Sequence, residues 1–291
     1  MGETADGVLP LSLIVLARNE EAAIGRCLDS VPFAAEKIVV DSGSTDGTAA
    51  AAAAHGATVI DREWLGFGPM RQRAEEDAAH EWILMLDADE WMSDELQRQC
   101  RDELPGLLER ADAVQLSRRT RYCGRTMNHY RPFARDHIWR CYRKGRAAWT
   151  SDQVHERLQP APGCRTHRLT APLIHDSYAS VAHHQEKACR YIDLWARQAF
   201  ERGRRPRLLG TFLSLPAYLV RDLVLRRGVL DGWPGVIAAW ITVHSTVMKR
   251  LRLYELYRAA GRPHHGTDRP AGGSAGQEAA APGGDWQAGR R

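Results

Sequence analysis

Long hydrophobic runs are missing from this sequence. None of the roughly eighteen apolar residues in a row that a bilayer-spanning helix needs occurs in its 291 residues, which argues against a membrane span and leaves surface association open. The start, Met1 to Pro10, carries acidic residues but neither a basic n-region nor a long apolar h-region, so a cytosolic start is expected rather than a secretory leader. The six cysteines (Cys27, Cys100, Cys123, Cys141, Cys164 and Cys189) are widely spaced, with no CxxC pair and no zinc-module spacing, and read as reduced thiols. No internal repeat is present. No GxGxxG follows the first apolar run, which disfavours a dinucleotide-binding oxidoreductase. The formal charge of +4 is too small to signal nucleic acid, and the basic residues gather late in the chain.

What remains is the composition of a folded enzyme, 44% hydrophobic and 26% charged, with room for one large domain and appendages. The first ninety residues alternate apolar runs with amphipathic segments, the pattern of βαβ units. Leu11 to Ala17 reads as a buried strand, and Asn19 as a helix cap before Glu20 and Glu21. Ile24, Cys27, Leu28 and Val31 then share one helical face. Further strands are expected at Lys37 to Asp41, Thr58 to Asp61 and Trp82 to Leu86, with helices at Asp46 to His55 and Pro69 to Ala79. Beyond residue 110 the periodicity is mixed, and antiparallel edge strands and loops are expected. From Val181 to Gly203 a helix reappears, with Ala188, Tyr191, Ile192, Trp195 and Ala199 on one face.

Ligands of an open parallel sheet bind beyond the carboxyl ends of its strands, so Asn19, Asp41, Asp61 and Asp87 are the first candidates for chemistry. For Asp61 a turn role serves equally well. Asp87-Ala88-Asp89 stands apart, because two carboxylates one residue apart at a strand exit can aim oxygens at one hard cation bridging a diphosphate. Glu90 follows directly, so repulsion among the three acids calls for a cation or hydrogen-bond donors. The strand before Asp87-x-Asp89 also superficially matches a phosphohydrolase of the haloacid dehalogenase type. Against that, position 91 is Trp rather than Thr or Val, and the strand is the fourth rather than the first.

The ordered segments LSLIVLARNEEAAIGRCLDSV, KIVVDSGSTDGT and WILMLDADE resemble the three successive motifs of family 2 glycosyltransferases. A narrower likeness is to bacterial lipopolysaccharide core enzymes that add a β-linked hexose, often glucose, to heptose. It rests on Gly66 to Ala74, Asp152 to Leu158, Leu173 to Tyr178 and Arg227 to Gly235. The resemblance implies an α/β GT-A fold, Rossmann-like, with a mainly parallel central sheet, flanking helices and a helical C-terminal appendage. It divides the catalytic part into a nucleotide-sugar half (1–110) and an acceptor half (111–203), while composition marks a basic amphipathic region (204–261) and a Gly-, Ala- and Pro-rich tail (262–291) expected to be disordered.

By the same resemblance Ala17, Asn19 and Glu20 contact the nucleotide, Asp41 binds uracil or ribose, and Asp87 binds ribose or diphosphate while sharing the metal with Asp89. Mg²⁺ or Mn²⁺ is the implied ion, and a UDP-sugar, UDP-glucose first, the donor. Arg71 and Gln72 lie where the family approaches the diphosphate, although a solvated helix face is an alternative for both. His175 is a further metal candidate, or a hydrogen-bonded structural histidine. For the general base of an inverting transfer, Glu156 comes first and Asp152 second, with His155 orienting the acceptor. Trp139, Tyr142 and Trp149 either stack on acceptor sugars or pack in the core. The implied acceptor is a glycolipid or lipopolysaccharide-core oligosaccharide. The arginines and tryptophans of 204–261 suit an anionic membrane surface, which places the enzyme peripherally on the inner face of the cytoplasmic membrane. A catalytically inactive GT-A binding protein is the other reading.

Overall fold

The computed structural model describes residues 7–150 and 157–261, which form two compact units: residues 7–119 with 135–176, and residues 120–134 with 177–261. The expected disordered tail, 262–291, lies outside the described residues.

In the first unit β1 (Leu9–Ala17) leads to α1 (Glu21–Asp29), β2 (Ala34–Asp41) to α2 (Thr48–Ala54), β3 (Thr58–Asp61) to α3 (Phe67–Glu76), and β4 (Trp82–Asp87) follows. β1 pairs in parallel with both β2 and β4, and β2 with β3. Successive side chains of these strands enter cores on opposite faces, Leu13 and Val15 with Leu84 and Leu86 on one, Ile14 and Leu16 with Val40 and Met85 on the other. Burial on both faces explains the unbroken apolar runs. α1 buries the expected Ile24, Cys27 and Leu28, with Val31 buried just beyond it. Asn19 does not cap α1; its backbone is left-handed at φ +56°, and its side chain turns to the neighbouring loop.

After β4 the sheet turns antiparallel. The elements are β5 (Glu90–Met92), α4 (Asp94–Arg110), β6 (Ala113–Tyr122), β7 (Arg125–Thr126), β8 (Arg135–Arg143), β9 (Ala147–Trp149), β10 (Leu158–Pro160) and β11 (Thr166–Tyr178). Ser93 caps α4 by accepting from the Leu96 N–H at 3.1 Å, and Asp94 and Glu95 occupy its first turn. The strand path is β3-β2-β1-β4-β8-β6-β11-β5, so the sheet is mixed, parallel through β4, with β8 antiparallel to both β4 and β6 and β11 antiparallel to β5. In-register pairing sets Leu16 beside Asp87, Ala17 beside Asp41 and Asp41 beside Asp61, which lines the four strand exits along one edge. Strand order reverses at β1, the position where such sheets take a ligand.

The second unit gathers α5 (Val181–Glu201), α6 (Leu208–Leu213), α7 (Leu215–Val220), a π turn (Arg221–Leu225), a 3-10 turn (Gly228–Asp231) and α8 (Gly232–Ala259). α5 buries Ala188, Ile192 and Ala199 as expected, with Tyr191 and Trp195 half-buried. Its C-terminal half packs on Leu253 and Tyr257 of α8. A Cβ on Gly235 would stand 2.0 Å from the Gly228 carbonyl oxygen, so the backbones of α8 and the 3-10 turn touch. The Asp231 carboxylate accepts the N–H groups of Asn128, His129 and Tyr130 at 2.7–3.0 Å, pinning that loop. Among the described residues no helix is long and apolar enough to cross a membrane.

Candidate active site

The first two strand exits are tied into one wall. Asp41, buried at the end of β2, accepts from the Ser44 N–H at 3.1 Å and from the Ser44 hydroxyl. The Asn19 N–H donates to Ser44 Oγ at 2.9 Å, while Asn19 Oδ1 accepts the Thr45 N–H at 2.8 Å. The Glu20 N–H donates to Thr48 Oγ1 at 2.8 Å, and the Ala17 carbonyl accepts the Ser42 N–H at 3.0 Å. Ala17, Asn19, Glu20 and Asp41 are therefore together. Sequence reasoning missed Ser42, whose buried hydroxyl has no hydrogen-bond partner among the described residues. A serine in a Ser-Gly-Ser-Thr turn carries no local signal for that burial.

Beside this wall, at the exit of β4, six charged side chains alternate in sign. Arg71 and Arg140 each donate to one oxygen of Asp87, Arg140 at 2.7 Å. Arg140 also reaches Glu90 Oε1 at 2.9 Å, Arg118 reaches the same oxygen at 3.1 Å, and Arg118 pairs with Asp136 at 2.6 Å. Glu90 Oε2 accepts the Asp87 N–H at 3.1 Å, so the buried glutamate fixes both the backbone of Asp87 and its arginine partner. The arginines offset the repulsion expected between Asp87 and Glu90 of the acidic turn. Burial alone would raise the Asp87 pKa. The charges of Arg140 and then Arg71 outweigh it and hold that carboxyl far below the usual carboxylate range. With both oxygens in ion pairs, Asp87 is not the free nucleophile that a dehalogenase-type phosphohydrolase needs.

Arg71 sits on α3, 1% exposed, with its guanidinium 4.7 Å from the centre of the Trp149 ring. Gln72, one residue and about 100° further round the helix, is exposed. Trp149 Nε1 donates to the Tyr142 hydroxyl at 3.0 Å, which donates to Glu75 at 3.0 Å. Both rings therefore serve the core beneath Arg71 rather than an open sugar-stacking face, and Trp139 packs partly buried against the same cluster.

Asp89 turns the other way. Its Oδ2 lies 3.3 Å from Nε2 of His175, each side chain about one-fifth exposed, and its carbonyl accepts the Asp176 N–H at 3.0 Å. Antiparallel pairing of β5 with β11 brings these residues together, with His175 beside Glu90. One carboxylate oxygen and one imidazole nitrogen converging at partial exposure fit a Mg²⁺ or Mn²⁺ ion that completes its shell with substrate oxygens and water. Among the described residues no set of three or more metal-ligating side chains occurs. Asp176 Oδ1, buried without a hydrogen-bond partner among the described residues, adjoins this pair and was not anticipated. The expected base candidates Glu156 and Asp152, with His155, lie outside the described residues.

The sequence matches the family described as glycosyl transferase family 2 over residues 12–166, more than half of the chain. It is 30% identical over 270 residues to the lipopolysaccharide core biosynthesis glycosyltransferase LpsC of Rhizobium meliloti, covering 88% of this chain and 96% of that protein. An uncharacterized glycosyltransferase of Rickettsia bellii is 27% identical over 261 residues, 84% of this chain and 86% of that protein. Among solved structures, glucosyl-3-phosphoglycerate synthase from Mycobacterium tuberculosis, in complex with Mn²⁺, UDP and glucosyl-3-phosphoglycerate, is 30% identical with a TM-score of 0.33. That similarity spans 38% of this chain and 44% of the solved one, less than half of either. A family match through the whole strand-exit site, together with a relative aligned over nearly all of its length, shows that this chain belongs to glycosyl transferase family 2.

Proposed function

We propose that this glycosyltransferase moves a hexose, glucose in the first instance, from a UDP-sugar to a glycolipid or lipopolysaccharide-core acceptor by metal-assisted single displacement with inversion. The observation that carries this reading is the convergence of Asp89 and His175 beside the Asp87 exit of β4, next to the wall built by Asn19 and Asp41. When bound, the divalent ion supplies positive charge that offsets the charge growing on the departing diphosphate. Asp89 and His175 would hold it. Asp87 keeps Arg71 and Arg140 in place at the strand exit, where their charge favours a polyanionic leaving group. The Asn19, Glu20 and Asp41 wall receives the nucleoside, and Ser42 offers an uncommitted hydroxyl there. The acceptor hydroxyl is deprotonated by Glu156, with Asp152 the second candidate, as it attacks the anomeric carbon from the face opposite the nucleotide.

A lipid-linked acceptor places the enzyme peripherally at an anionic membrane surface, on the inner face of the cytoplasmic membrane. The test is a screen of nucleotide sugars with Mn²⁺, read by nucleotide release with and without lipopolysaccharide-core acceptor. UDP-glucose should give the fastest release. Preference for another donor overturns the glucose assignment, and no release from any nucleotide sugar overturns the reading as a whole.

A further inference from the structure

Ten of the fourteen large hydrophobic side chains left exposed among the described residues fall between Leu209 and Trp240, all in the second unit. Water-facing apolar groups at that density have a function or cost solubility. α6 leaves Leu209, Phe212 and Leu213 exposed at i, i+3 and i+4, one face of the helix. The π turn adds Val224 and Leu225, and α8 adds Trp233 and Trp240 two turns apart on one face, 78% and 60% exposed. In the segment Arg227 to Gly235, Gly228 and Gly235 make a backbone contact and Asp231 holds the 128–130 amides, whereas Trp233 is left largely in solvent.

Charge says what covers this surface. The segment 204–240 holds two acids, and both are consumed internally. Asp222, fully buried, accepts from Tyr130, Arg221 and Arg226, and Asp231 is taken by backbone amides. Arg204, Arg205 and Arg227 remain exposed with no acid of their segment left to meet them. We infer that α6, the π turn and the start of α8 form a docking face for an anionic phospholipid bilayer, with leucine, phenylalanine and tryptophan entering the headgroup boundary and the arginines meeting lipid phosphates. A second copy of the chain would bring cationic segments together with no acid to offset them. The chain's own residues 262–291 offer a single large apolar side chain, Trp286, too little to cover ten. The face lies on the membrane rather than across it, since no described helix is long and apolar enough to span. This inference rests on the lipid-linked acceptor only for its purpose; the surface itself stands independently.

The test is co-sedimentation of the full chain with phosphatidylcholine vesicles, with and without phosphatidylglycerol, alongside nucleotide release from the donor in vesicle-free buffer. Binding should require phosphatidylglycerol and weaken with salt. The double change Leu213→Ser, Trp233→Ser should lower partitioning by roughly tenfold per side chain, from the apolar area withdrawn. Neutralising Arg204 and Arg205 to Gln should cost about fivefold each, the equivalent of roughly 1 kcal/mol per arginine. Basal nucleotide release should not change in either variant. Absence of binding to phosphatidylglycerol vesicles overturns the inference, as does variant binding equal to wild type. A concentration-dependent dimer dispersed by Leu213→Ser also overturns it, by placing a second copy on the face. Failure of nucleotide release in every protein would instead strike the proposed function and leave the partitioning result to be judged alone.

Discussion

Replacing Glu90 by Gln removes one charge at the centre of the array while keeping its shape. Glu90 is fully buried and accepts three hydrogen bonds, from Arg118 at 3.1 Å, Arg140 at 2.9 Å and the Asp87 N–H at 3.1 Å. With Arg71, Arg118 and Arg140 against Asp87, Glu90 and Asp136, the six groups sum to zero, and Glu90→Gln leaves them at +1. The carboxamide also turns an N–H₂ toward groups that only donate. Breaking a buried ion pair by removing one partner costs about 3–5 kcal/mol, a large share of a typical domain's 5–15 kcal/mol, so Glu90→Gln should lower the urea midpoint sharply at unchanged m. Asp136→Asn is the comparison: its side chain is 26% exposed and Arg118 retains Glu90, so about 1 kcal/mol is expected. Added salt should rescue neither the midpoint nor the slope in Glu90→Gln, because screening acts weakly on buried charges. A Glu90→Gln protein within about 1 kcal/mol of wild type, or no weaker than Asp136→Asn, would refute the view that this glutamate organises the array.

In the second unit, His184 is buried and hydrogen-bonded to Tyr122 at 2.9 Å, and burial, then the charges of His183 and Lys187, push its pKa down to about 4. Because the unfolded histidine titrates near 6.5, the unfolded chain takes up a proton that the folded one refuses. Stability is therefore full above about pH 6.5 and falls by up to about 3 kcal/mol as pH drops toward 4, a slope that His184→Gln should flatten in urea titrations at stepped pH. Gly235→Ala forces a Cβ to within 2.0 Å of the Gly228 carbonyl oxygen and should destabilise the protein by about 1–3 kcal/mol in thermal melts. Gly106→Ala, in open space on α4, should instead be neutral or stabilising by up to about 1 kcal/mol; equal effects at the two positions would contradict the close-contact argument.

The parallel half of the sheet was legible because each of its strands is either apolar throughout or ends in a polar residue at a turn, and both signals are local. Asp41 and Asp87 announced themselves in that way, and pairing register then placed them on one edge. The arginine partners were not legible. Arg140 lies 53 positions from Asp87 and Arg118 lies 28 from Glu90, on antiparallel strands whose mixed periodicity gave no register. His175 meets Asp89 only through the β5–β11 pairing, which no local pattern encodes; the family likeness alone suggested it. For Trp149 and Tyr142 sugar stacking and core packing both stayed open, since composition cannot tell a ring facing a ligand from one bonded to a half-buried glutamate. Asn19 carried the usual signature of a helix cap, yet its left-handed backbone sends the side chain to Thr45 instead.

The rate of nucleotide release from the preferred sugar nucleotide, followed as Mn²⁺ is titrated into wild type, Asp89→Asn and His175→Gln, bears most directly on the central claim that these two side chains hold the metal. Turnover should require the ion, fall on the order of a hundredfold or more in Asp89→Asn, and need more Mn²⁺ for half-maximal rate in His175→Gln. Turnover independent of any divalent ion, or an Asp89→Asn enzyme as fast as wild type, would contradict the claim.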